Sequence, residues 1–102
     1  MTLTNSTILD SDFRYIDKNG TLLKSRTELS IAQMLTFLGT SYTYEHKLTL
    51  SSGKTVLVDF MTVDGRLIEV IDSESDITKY KEIKSDNHTI MAIGHPQFAA
   101  KL

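Results

Sequence analysis

Residues 55–62 (TVLVDFMT) and 66–72 (RLIEVID) are two apolar runs, separated only by Val63-Asp64-Gly65. Runs of this length and β-branched content read as strands, and so short a connection allows only an antiparallel hairpin. Each run carries one acid near its middle, Asp59 and Glu69. A carboxylate among Val, Ile and Phe is costly to bury unless it is paired or liganded.

The turn decides whether the two acids meet. Side chains alternate along a strand, so Leu57, Asp59 and Met61 share one face, as do Leu67, Glu69 and Ile71. A two-residue Asp64-Gly65 turn pairs Val63 with Arg66 and Asp59 with Val70, which sends the acids to opposite faces. A three-residue loop pairs Thr62 with Arg66 and Asp59 with Glu69. The acids then share a face with Cβ atoms roughly 5 Å apart. Gly65 stands where that loop wants a left-handed residue. Both registers are open from the turn alone.

Close carboxylates repel, and one takes up a proton unless a cation intervenes. Mg²⁺ or Mn²⁺ would remove the conflict, because these hard ions prefer oxygen and commonly use one or two carboxylates plus waters and a phosphate. The plain alternative is a pair of acids on the solvent face of an antiparallel hairpin.

The remaining patterns place this hairpin in a larger domain. Residues 1–12 are polar and read as a loose arm. FRYIDKNGTLLK (13–24) reads as a first hairpin turning at Asn19-Gly20. SRTELSIAQMLTFLG (25–39) is a helix capped by Ser25 and stopped by Gly39, with Leu29, Ala32, Leu35 and Leu38 at helical spacing and Ile31 and Met34 widening the stripe. So wide a face should pack on a sheet. SYTYEHKLTL (41–50) alternates as a strand, SESDITKYKEIKSDN (73–87) is a second helix, HTIMAIG (88–94) is a last strand, and residues 95–102 form a tail. The order is (ββ)-α-β-β-β-α-β: a single α/β domain over residues 1–102, its mixed sheet flanked by two helices.

Composition narrows the function. With 102 residues and no cysteine, a disulfide scaffold and a Cys-ligated zinc site are excluded. The net charge of −2 argues against a non-specific nucleic-acid coat but not against an enzyme that cuts nucleic acid. The N-terminus lacks the basic start and apolar stretch of a signal peptide, and no run approaches the roughly 20 residues that span a bilayer. These features predict a cytoplasmic protein without membrane association.

Three segments carry a family resemblance: Glu28 in SRTELSIAQML, Asp59 in VDF after SYTYEHKL, and Glu69 in IEV. Their order is similar to that of the PD-(D/E)XK nuclease superfamily, especially small phage, transposon and helicase-associated members. The resemblance covers residues 13–94. It implies a restriction-endonuclease-like core and an Mg²⁺- or Mn²⁺-dependent endonuclease that hydrolyses DNA phosphodiesters. Asp59, Glu69 and the Val70 carbonyl would hold the metal, and Glu28 would order its water shell. So short a chain has little room for a separate DNA-reading domain, so structure-selective or nicking activity by a homodimer is expected.

Two positions depart from the family pattern. Val58 stands in place of the Pro before the Asp, and Ile71 in place of the tripeptide Lys. Some members relocate that Lys to the following helix, where Lys79, Lys81 and Lys84 are available. With Ile77 and Tyr80 taken as the inner face, Lys84 falls between them and is the expected replacement, whereas Lys79 falls far round. If no lysine substitutes, the chain is a nuclease-fold module that binds DNA or a nucleoprotein partner with weak or no cleavage.

Several residues have simpler accounts. Ser25-Arg26-Thr27-Glu28 is a capping box in which Glu28 would bond back to the Ser25 N–H. Glu45 in YTYEHK is common in the family, yet a cross-strand pair with a Lys explains it. His46, His88 and His95 lack zinc-ligand spacing, and Tyr80 is expected to pack its helix.

Overall fold

The computed structural model describes residues 15–102. The expected loose arm at 1–12, and Phe13 and Arg14 of the first hairpin, lie outside the described residues. The chain divides into two compact units, one ending at Gly39 and one beginning at Thr40.

In the first unit, β1 (Tyr15–Ile16) pairs antiparallel with β2 (Leu22–Leu23). Asp17 ties the turn together: its Oδ1 accepts the N–H groups of Asn19 and Thr21, each at 2.9 Å. Helix α1 (Arg26–Phe37) follows. Its N-cap is Ser25, whose Oγ accepts the Glu28 N–H at 3.1 Å. The Glu28 carboxylate does not bond back to Ser25 as a capping box would. Its Oε1 takes the Lys24 N–H at 2.8 Å, one residue earlier. The buried stripe is Glu28, Ile31, Ala32 and Leu35, while Met34 and Leu38 are exposed, so it is narrower than the apolar pattern predicts.

In the second unit, β3 (Tyr42–Thr49), β4 (Thr55–Thr62), β5 (Leu67–Ile71) and β6 (Ile90–Gly94) form a mixed sheet in that order. β3–β4 and β4–β5 are antiparallel, and β5–β6 is parallel. The parallel pair needs a crossover, and helix α2 (Glu74–Ser85), capped by Ser73, supplies it. A 3₁₀ helix (Pro96–Lys101) closes the chain. This is an α/β architecture, as the alternation of periods predicts.

All five residues of β5 are buried, as expected for a strand covered on both faces. On one face Phe60 packs with Tyr42 in an edge-to-face contact and with Tyr44 at a tilt, ring centroids 5.3 and 5.4 Å away. On the other, Ile71 packs with Ile77 and Tyr80 of α2, and Leu67 belongs to a cluster with Ile83. α2 therefore lies over the face that carries Leu67, Glu69 and Ile71. Gly94 permits close contact between β6 and β5, because a Cβ there would sit 2.4 Å from the Ile71 carbonyl oxygen.

Candidate functional site

The β4–β5 turn settles the question of register. The Thr62 N–H donates to the Arg66 carbonyl at 2.9 Å, the Gly65 N–H donates to the Thr62 carbonyl at 2.9 Å, and Gly65 has φ +87°. The connection is the three-residue loop Val63-Asp64-Gly65. The ladder runs Met61↔Leu67 and Phe60↔Ile68. One step further along the same offset are Asp59 and Glu69, side by side on one face.

At that step the acids replace the ladder. The Asp59 N–H donates to Glu69 Oε1 at 3.2 Å, and the Val70 N–H donates to Asp59 Oδ2 at 2.8 Å. Each carboxylate is thus held by the opposite strand's backbone. The N–H and C=O of one strand residue face the same neighbour, so the Val70 carbonyl is directed toward β4, as Val70 N–H is. Asp59, Glu69 and Val70, three of the residues named from sequence, come together here.

The lysine at this pair is Lys79. Its Nζ lies 2.6 Å from Glu69 Oε2 and donates to the Leu57 carbonyl at 2.8 Å. Lys84 lies instead over the Tyr80 ring, 5.7 Å from its centroid, and Lys81 is exposed. Ile77 and Tyr80 are not the whole inner face of α2. Ile83 is fully buried as well, and Lys79 falls only about 40° from it on the wheel. Ile83 was the signal that would have pointed to Lys79.

Ile71, in the position where the resemblance wants a lysine, is 1% exposed among Ile77 and Tyr80. Glu28 lies in the first turn of α1 in the other unit, holding the Lys24 N–H.

Glu69 is completely buried. Burial first, and the Asp59 charge second, raise its carboxyl from an ordinary 4.5 to about 7, with Lys79 opposing both. Its Oε2 accepts no well-angled hydrogen bond, despite the short ion pair with Lys79. A buried carboxylate oxygen with unused acceptor capacity, beside a second carboxylate and a strand carbonyl, suits a hard divalent cation. No cluster of three or more His, Cys, Asp or Glu able to hold a metal occurs among the described residues, so a cation here would take its remaining ligands from water or substrate. Among the same residues, no helix is long and apolar enough to cross a membrane.

No family model matches the chain, and no curated protein or solved structure matches it at a significant level.

Proposed function

We propose that the protein is a divalent-metal-dependent endonuclease that hydrolyses DNA phosphodiesters, with Asp59, Glu69 and Lys79 at its centre. The supporting observation is that Glu69, buried and facing Asp59, has an ammonium 2.6 Å from its Oε2. That grouping of two carboxylates and a lysine is the set the PD-(D/E)XK resemblance calls for, with the lysine supplied from the helix. The restriction-endonuclease-like core belongs to the same proposal.

The Asp59 and Glu69 carboxylates and the Val70 carbonyl would hold Mg²⁺ or Mn²⁺. Such a cation lowers the pKa of a water and polarises a phosphoryl oxygen. The backbone bonds from Asp59 N–H and Val70 N–H keep both carboxylates oriented without help from solvent. With the Glu69 charge balanced by a cation, the Lys79 ammonium no longer has to serve it. It would then be placed to meet the charge that develops on the scissile phosphate. A homodimer would present two such sites to a duplex or junction.

The test is incubation with supercoiled, branched and single-stranded DNA in Mg²⁺ or Mn²⁺. The proposal expects cleavage that chelation stops and Asp59→Ala abolishes. DNA binding by the wild-type protein without cleavage in either metal would instead favour a nuclease-fold binding module.

A further inference from the structure

Two non-glycine residues have left-handed backbone among those described, Asn87 with φ +66° and Glu45 with φ +54°. Asn87 follows the end of α2, where a left-handed Asn is an ordinary helix stop. Glu45 has no such account. It sits in the middle of β3, where strand residues have strongly negative φ. Strain of this kind persists only where the surroundings enforce it, and it concentrates at functional sites.

The residue opposite Glu45 is Asp59. β3 and β4 pair at Tyr44↔Phe60 and at His46↔Val58 with the same offset, so no residue is inserted, yet the Glu45–Asp59 pair between them is missing from the ladder. The Val63 N–H bond to the Ser41 carbonyl fixes the alternation at the end of this ladder. Hydrogen-bonded positions recur at every second residue of an antiparallel pair. Counted from Ser41 and Val63, Glu45 and Asp59 would exchange backbone bonds; counted from the other end, where the Leu50 N–H donates to the Lys54 carbonyl at 2.8 Å, they would not, so the alternation reverses at this pair. At the reversal the Asp59 N–H is donated to Glu69 Oε1, on the strand at the other side of β4.

We propose that the left-handed backbone of Glu45 is a positioning device: it withdraws Asp59 from the β3 ladder so that the Asp59 N–H holds the Glu69 carboxylate. The functional meaning rests on the reading of Asp59 and Glu69 as a metal-holding pair, although the backbone effect is defined without a metal. Glu45 is a positioning residue that acts through its main chain. An extended residue here would carry the alternation set at Ser41 and Val63 on through Asp59, returning its N–H to β3 and leaving Glu69 Oε1 without that donor.

Three substitutions separate main chain from side chain. Glu45→Gly and Glu45→Asn remove the carboxylate but adopt the left-handed conformation readily. Glu45→Val favours extended backbone, and a left-handed Val is a true outlier. The readout is the change in the Asp59 amide NMR signal on adding Glu69→Gln to each background, without metal or DNA. The amide should respond in the wild-type, Gly and Asn backgrounds and lose its response in the Val background. In parallel, calorimetry should give an Mn²⁺ dissociation constant about 10–100-fold weaker for Glu45→Val and near the wild-type value for Glu45→Gly. Should Glu45→Val fail to fold, Glu45→Ala applies the same preference more gently and decides in the same way. A retained amide response in the Val or Ala background, or its loss in both Gly and Asn, would overturn the proposal. If the wild-type protein binds no Mn²⁺ but the amide pattern holds, the metal reading fails and the positioning role of Glu45 stands.

Discussion

Lys79 on α2 pairs with Glu69 on β5, Nζ to Oε2 at 2.6 Å, and the same ammonium holds the Leu57 carbonyl of β4 at 2.8 Å. One cation therefore bridges the helix and both acid-bearing strands. Lys79→Met should lower metal-dependent cleavage by about 10²–10³-fold, the loss seen when a group stabilising transition-state charge is removed. Lys84→Met, which removes only a contact with the Tyr80 ring, should leave the rate at the wild-type level. Plasmid-nicking rates for the two variants compare them directly. An equal loss in both would contradict the assignment.

A lysine at strand position 71 would not serve in place of Lys79. Ile71 is packed against Ile77 and Tyr80 and is almost wholly buried. Ile71→Lys would place an ammonium among apolar side chains, at a cost of several kcal/mol. Chemical denaturation should show that loss, and cleavage should not rise. An Ile71→Lys protein that is as stable as the wild type and more active would refute this account of the site.

The raised Glu69 carboxyl makes stability pH-dependent. Its folded pKa is about 7, against an ordinary 4.5, so between these values the folded state binds more protons than the unfolded chain. Stability must then fall as pH rises through that interval. The contribution is fully present below about 4.5 and gone above about 7, and it amounts to up to about 3 kcal/mol. Glu69→Gln should flatten this dependence, as read from denaturation midpoints across the interval. Mn²⁺ should bind more tightly as pH rises over the same range, because the proton and the cation compete for Glu69.

The register rests on one residue of the loop. Gly65 has φ +87°, and a Cβ added there meets nothing within 4 Å. The cost of Gly65→Ala is therefore purely that of the backbone, about 1–2 kcal/mol. Gly65→Asn should cost less, since Asn tolerates left-handed backbone. Thermal or chemical unfolding of the two variants orders them, and equal stabilities would mean that the loop does not depend on this conformation.

Much of the fold was legible in the sequence because its periods are strong. The alternation in TVLVDFMT, the caps at Ser25 and Ser73, and Gly65 in the turn each have a local cause, and the elements form where those causes put them. The register was reduced to two options, and the loop hydrogen bonds select between them. What could not be read depends on contacts distant in the chain. A helical wheel drawn through two residues misses how far a long lysine reaches across to a strand. The left-handed backbone of Glu45 has no sequence signal either, since Glu has no preference for that conformation. Met34 and Leu38 are exposed although they lie on the apolar stripe, because apolar spacing does not tell how much of a stripe is covered.

The central claim is that Asp59 and Glu69 together hold a divalent cation, and calorimetric titration of Mn²⁺ into the protein above pH 7 tests it most directly. The account predicts saturable binding of one ion per chain by the wild type, abolished by Asp59→Asn. It also predicts that Glu69→Gln weakens binding and that Lys84→Met leaves it unchanged. Absence of binding by the folded wild-type protein, or binding that survives Asp59→Asn at full strength, would contradict it.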